Sequence, residues 1–199
     1  MPEMRIGIFG GSFDPVHTGH ATLANELSQC GLFDQVWMLP ARVSPFKTGN
    51  VRHATPAERV EMCRRVAERC AAVRVDDIEM SMPEPSYTYR TLCELRRRYP
   101  RHRFRLIIGS DNIADFHKWY NAGEIIREFG VTVYPRPGYP VPERLPDNVE
   151  VAGDVPQVLV SSTHIRNGLA RGRNVNFLVP DAVLQYIKEK KLYLGDGTE

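Results

Sequence analysis

Short β-branched runs alternate along this chain with longer stretches whose apolar residues recur at helical spacing, and that alternation leaves few folds open. The strand candidates are Arg5 to Phe9, Gln35 to Leu39, Val73 to Val75, Phe104 to Ile108, Val131 to Tyr134 and Gln157 to Val160, with Ile78 to Met82 alternating as an edge piece. Nearly continuous apolar strands separated by helices are the mark of βαβ units, so the expectation is a doubly wound α/β fold with a mostly parallel sheet and helices on both faces. The best-marked helix start is Thr55-Pro56-Ala57-Glu58, a capping box with proline at the first helical position, ahead of Met62, Val66 and Cys70 on one face. A second helix is expected from near Thr88, with Leu92 and Leu95 inward, stopping before Pro100, and a last one from about Pro180 to Lys190. Pro135 to Pro146 reads as an ordered surface excursion between strands.

Composition narrows the classes of function. At 199 residues with 42% hydrophobic and 25% charged, the chain suits a single compact domain over 1–199. A net charge of +2 gives no argument for nucleic acid or an anionic membrane, and Arg96-Arg97-Arg98 reads as a solvated face complementing a helix C-terminus. No apolar run reaches the roughly 20 residues that span a bilayer, and the first residues carry no signal-peptide core. Cys30, Cys63, Cys70 and Cys93 lack CxxC pairing and fall in helix-like stretches, so free thiols in a reducing cytoplasm are expected.

The chemistry concentrates where strands end. Gly10-Gly11-Ser12-Phe13-Asp14-Pro15-Val16-His17-Thr18-Gly19-His20 follows the first strand and opens a helix that buries Leu23 and Leu27, the place where a nucleotide fold binds phosphate. Glycines let the backbone approach a ligand, helix N–H groups favour an anion, and two histidines three apart can donate to one bound group. Read alone, each histidine is a capping or surface residue as readily as a ligand contact. A zinc site at His17 and His20 lacks further ligands at suitable spacing and is set aside. Downstream, Val160-Ser161-Ser162-Thr163-His164-Ile165-Arg166 runs from strand to helix with hydroxyls at the cap and a guanidinium one turn in. Ile107-Ile108-Gly109-Ser110-Asp111 ends another strand on a glycine and an acid, where Asp111 could equally cap the next helix.

Together these strings resemble the nucleotidylyltransferase superfamily, a Rossmann-like fold: G-x-F-D-P-x-H-x-G-H is complete from Gly11 to His20, and I-S-S-T-x-I-R departs only at Val160. Ser86-Tyr87-Thr88 with Thr91-Leu92, and Trp119-Tyr120 after the G-x-D strand end, resemble the bacterial nicotinate-nucleotide adenylyltransferases in particular. The resemblance implies ATP and nicotinate mononucleotide as partners, deamido-NAD and pyrophosphate as products, Mg²⁺ held mainly by the triphosphate, and compatibility with a homo-oligomer. It implies catalytic roles for His17, His20, Lys47 and Arg166, and ATP contacts at Gly10, Gly11, Ser12, Phe13, Gly109, Asp111, Ser162 and Thr163. Ser86, Tyr87, Thr88, Trp119, Tyr120 and Arg136 are the implied nicotinate-nucleotide contacts. Three further positions depart from the family's pattern: Ser44 and Phe46 in the segment that ends on Lys47, and Arg90 where an acid is usual. Pantetheine-phosphate adenylyltransferase is the nearest enzymatic alternative, but it typically has threonine at the position of His17. A nucleotide sensor without catalysis is the alternative of another class.

Overall fold

The computed structural model describes residues 2–42 and 53–195. Six strands, β1 (Arg5–Gly11), β2 (Gln35–Pro40), β3 (Val73–Val75), β4 (Arg103–Gly109), β5 (Val131–Tyr134) and β6 (Val149–Val151), form one sheet in the order β3-β2-β1-β4-β5-β6. Every adjacent pair is parallel. The helices are α1 (Thr18–Leu27), α2 (Pro56–Ala67), α3 (Thr88–Arg98), α4 (Ala122–Glu128), α5 (Ser162–Leu169) and α6 (Asp181–Glu189).

The period of two sorts the core onto two faces. Phe9, Val36, Met38 and Ile107 join the layer built with α1, α2, α5 and α6. Ile6, Ile8, Trp37, Leu39, Leu106 and Ile108 join the layer with α3 and α4. Both faces of the sheet are therefore covered, as nearly continuous apolar central strands require. Each aliphatic side chain so removed from water contributes roughly 1.5–3 kcal/mol before its ordering entropy is subtracted. The Thr55 capping box forms as its sequence dictates: Thr55 Oγ1 accepts the Glu58 N–H and the Glu58 carboxylate accepts the Thr55 N–H. Connections change direction at β1, and the crevice outside the ends of β1 and β4 is where such a sheet binds ligands.

Three local expectations are corrected. Gln157 to Val160 is not a strand: the last strand is Val149–Val151, and the later segment lines the cleft at the carboxyl ends of the central strands, with Leu159 81% exposed. Ile78 to Met82 is a 3₁₀ turn over Ile78–Ser81 rather than an edge piece; Asp76 Oδ1 accepts the Ile78 N–H at 3.0 Å and starts the turn. Cys30 and Cys70 lie just beyond α1 and α2, Cys30 exposed, so only Cys63 acts as a buried hydrophobe within a helix. The arginine run is solvated and paired, Arg97 and Arg98 with Glu94 and Arg96 with Glu128. Among the described residues no helix is long and apolar enough to cross a membrane.

Candidate active site

The first turn of the sheet is an interlocked pair of imidazoles. His17 is the N-cap of α1 and His20 its third residue; His17 Nδ1 accepts the His20 N–H at 3.4 Å, and His20 Nδ1 accepts the His17 N–H at 3.3 Å. The rings stack with centroids 3.6 Å apart, and the buried Phe13 ring meets His20 edge-on at 5.0 Å. A nitrogen that accepts carries no proton, so each neutral ring keeps its N–H on Nε2. Burial, reinforced by the charge of Arg136, lowers the His17 pKa to about 4. His20 is held well below the ordinary histidine value by burial, by His17 and by Arg136. Near neutral pH the pair offers two uncharged donors of fixed tautomer.

Both rings line a cleft of about 610 Å³ at the carboxyl ends of the central strands. Its wall also carries His164, Asn112 and Arg136, and no carboxylate among the described residues. Gly10 contributes bare backbone there: a Cβ built on it would meet nothing within 4 Å. At the end of β4 the Asp111 carboxylate lies over Gly109, where a Cβ would come within 2.3 Å of Oδ1, and Arg136 Nη1 pairs with Asp111 Oδ2 at 2.9 Å. Ser110 orients this arginine, its Oγ accepting the Arg136 N–H at 2.8 Å and donating to the Tyr139 carbonyl at 2.7 Å.

The start of α5 braces the same turn. Ser161 Oγ accepts the His164 N–H at 3.2 Å, Ser162 Oγ donates to the Pro15 carbonyl at 2.9 Å, and Arg166 Nη1 donates to the Asp14 carbonyl at 2.6 Å. Arg166 Nη2 also reaches Thr163 Oγ1 at 3.3 Å. Ser161 and His164 face the cleft, while Ser162, Thr163 and Arg166 stand behind it. Lys47, Ser44 and Phe46 lie outside the described residues.

The aromatic group expected for a nicotinate forms in part. Tyr87 and Tyr120 stack at 4.7 Å, both exposed, with the Arg90 guanidinium 5.2 and 5.3 Å over their rings. Trp119 is half-buried and leans on Phe116 at 5.1 Å. Thr88 opens α3, and the buried Ser86 Oγ has no hydrogen-bond partner among the described residues. Arg136 is not among these rings; it belongs to the wall of the histidine cleft.

Three neighbours of this turn escaped sequence reasoning, His53, Arg59 and Tyr193, and Asp14, read there only as a motif position, is the carboxylate that His53 and Tyr193 meet. Arg59 is wholly buried and donates to the Ser12 carbonyl at 2.7 Å and the Arg42 carbonyl at 3.0 Å, tying the glycine turn to the end of β2. A signal existed, since Arg59 precedes Met62 and Val66 on the inward stripe of α2, where a cation needs a reason.

Residues 8–168 match the family described as cytidylyltransferase-like, the class of nucleotide-binding sheet that this strand order and this first turn define. The chain is 41% identical over 189 residues to a Bacteroides fragilis protein named "Probable nicotinate-nucleotide adenylyltransferase", covering 94% of this chain and 92% of that one. It is 37% identical over 190 residues to the nicotinate-nucleotide adenylyltransferase of Bacillus subtilis, covering 95% and 98%. The chain belongs to the nicotinate-nucleotide adenylyltransferase family. Plasmodium falciparum nicotinic acid mononucleotide adenylyltransferase, solved in complex with NaAD, shares the fold with a TM-score of 0.80 at 21% identity, over 95% of this chain and 97% of that one.

Proposed function

We propose that this protein transfers the adenylyl group of ATP to nicotinate mononucleotide, giving deamido-NAD and pyrophosphate. The observation that carries the reading is the neutral histidine pair on the wall of a cleft without carboxylates, in a chain whose relatives bear that name over almost their whole length. A phosphate oxygen of the mononucleotide attacks the α-phosphorus, the bond from that phosphorus to the bridging oxygen breaks, and the electron pair leaves with pyrophosphate. The attacker is already ionised, so no general base is needed. Catalysis consists of alignment and of donors placed where charge gathers on the leaving side. His17 and His20 donate from Nε2 to the phosphates without having to lose a proton first. Arg136, paired with Asp111, brings a guanidinium to the same wall. Arg166, with Ser162, holds the turn in place through the Asp14 and Pro15 carbonyls and is proposed as a contact of the triphosphate. Lys47 is proposed as a further phosphate contact. Gly10, Gly11, Ser12 and Phe13 present backbone to the nucleotide, with Gly109 and Asp111 beside the adenosine.

No three His, Cys, Asp or Glu side chains converge among the described residues, and Asp111 is engaged by Arg136. That donor set suits a cation brought in on the nucleotide. We therefore propose Mg²⁺ coordinated by triphosphate oxygens and water, lending its charge to the oxygens that become pyrophosphate. Tyr87, Tyr120, Trp119, Ser86 and Thr88 are proposed to receive the pyridine ring and its carboxylate. Four thiols outside any disulfide support a reducing, cytoplasmic setting. Incubation with ATP, Mg²⁺ and either nicotinate or nicotinamide mononucleotide or pantetheine phosphate, followed by identification of the product, tests the reading. Deamido-NAD as the main product is expected; release of no pyrophosphate with any acceptor overturns it.

A further inference from the structure

The histidine turn is held from behind by one carboxylate that adenylyl transfer does not itself employ. Asp14 is 3% exposed and lies between the glycine turn and His17. Its Oδ1 accepts the Tyr193 hydroxyl at 2.7 Å and the Ala54 N–H at 3.1 Å; its Oδ2 faces His53 Nδ1. Its backbone carbonyl accepts Arg166, and the Ser12 carbonyl, two residues earlier, accepts the buried Arg59. The approach to α2, the start of α5 and the turn after α6 thus converge on a single residue of the catalytic turn. Arg59 faces opposite demands: burial disfavours its charge and the Asp14 carboxylate favours it.

Tyr193 is the most distant of these donors, 179 residues from Asp14 in the chain, and is 1% exposed. Burial and the neighbouring carboxylate keep its hydroxyl protonated far beyond the ordinary tyrosine range, so it remains a donor at any working pH. Its ring already sits in the core layer of α6 and needs no hydroxyl to do so. A buried carboxylate, by contrast, must have its lone pairs met or the backbone carrying it shifts. The bonds that lock His17 to His20, at 3.3 and 3.4 Å, are long and so have little margin against such a shift.

We infer that Tyr193 is a positioning residue for the histidine pair: its hydroxyl fixes the Asp14 carboxylate, and through it the turn that sets His17 at the N-cap with both imidazoles in the Nε2–H tautomer. Only the kinetic arm of the test rests on the adenylyl-transfer reading. Tyr193→Phe keeps the ring and deletes the hydroxyl. The expected result is a kcat lowered about tenfold with KM for ATP and mononucleotide within twofold, since a misplaced donor costs most where charge develops. Nitrogen-15 NMR of the imidazoles gives an arm independent of substrate: His17 and His20 should change from a single neutral tautomer to a mixture. His53→Gln acts on the other carboxylate oxygen from a partly exposed loop and is read the same way should Tyr193→Phe fail to fold. A folded variant that has only a lower Tm, with kcat and imidazole resonances unchanged, overturns the inference. A parent protein inactive with every acceptor overturns the adenylyl-transfer reading instead, and the NMR arm still decides this one.

Discussion

The two ends of the proposed site are built by opposite means. At the phosphate end, His17 is buried and His20 half-buried; they cap one another and are braced through Asp14, Ser162 and Arg166 by segments from the rest of the chain. At the pyridine end, Tyr87 and Tyr120 are exposed and stacked on each other, covered by an arginine that has no acid among the described residues for a partner. Donors that stabilise a transition state lose their worth if they must reorganise during the reaction, so they belong in rigid surroundings. A ring-binding surface can be opened by its ligand, because one stack replaces another at little net cost. Substrate selection is thereby separated from chemistry, and replacements at the two ends should fail in different kinetic constants.

The largest effect is expected at the rigid end. His20→Ala removes one preorganised donor and should lower kcat at least a hundredfold, about 3 kcal/mol, with KM for the mononucleotide little changed. A near-normal kcat in the folded variant would place the donors elsewhere. The same burial has a signature in acid. The His17 pKa is lowered to about 4 from 6.5, so between those values the unfolded chain takes up a proton that the folded one refuses. Stability from this group is intact above pH 6.5 and falls as pH drops toward 4, by on the order of 3 kcal/mol. Thermal melts from pH 7.5 to 4.5 should show the decline, and His17→Gln should flatten it; identical slopes in both proteins would mean that the ring is not held neutral.

The contrast between the ends also explains what could be read from the amino acids alone. Strand and helix placement followed from apolar period and capping chemistry, because Ile6, Ile8, Trp37 and Leu39 are buried by the regularity that made them legible. The expectation failed at Gln157 to Val160, where β propensity is not matched by pairing: the segment runs along the histidine cleft instead of joining the sheet. Histidine spacing on α1 put two rings on one side of the turn, and both line one cleft, but the reciprocal cap depends on χ angles and backbone geometry that spacing does not encode. Arg136 was grouped with the pyridine contacts by resemblance, whereas its hydrogen bonds around Ser110 and Tyr139 hold it in the wall of the histidine cleft. The clamp on Asp14 was invisible because its donors come from positions as remote as Tyr193, which only the folded chain brings near.

At the adaptable end, effects shrink and move into KM. Trp119 is half-buried against Phe116, and Trp119→Ala should raise KM for nicotinate mononucleotide about fivefold, near 1 kcal/mol, with KM for ATP and kcat almost unmoved. Steady-state kinetics with each substrate varied in turn decide this. Equal damage to both KM values would make Trp119 a core residue whose loss loosens the whole site.

The smallest effect, at Arg90, is the most informative, because two consequences of one guanidinium oppose each other. Its positive charge near the proposed carboxylate site favours the acid, although exposure to water limits that to roughly half a kcal/mol. Its position over the faces of Tyr87 and Tyr120 holds the stacked pair closed, and an exposed cation–π contact of this kind is worth about 0.5–1 kcal/mol that a pyridine ring must displace. The acid feels both terms and the amide feels only the second. Arg90→Gln should therefore leave kcat/KM for nicotinate mononucleotide within about twofold, raise that for nicotinamide mononucleotide two- to threefold, and leave KM for ATP alone. If both mononucleotides gain equally, the guanidinium acts only as a cover on the rings. If the acid alone loses, it acts only as a charge, and the closed stack of tyrosines costs the substrate nothing.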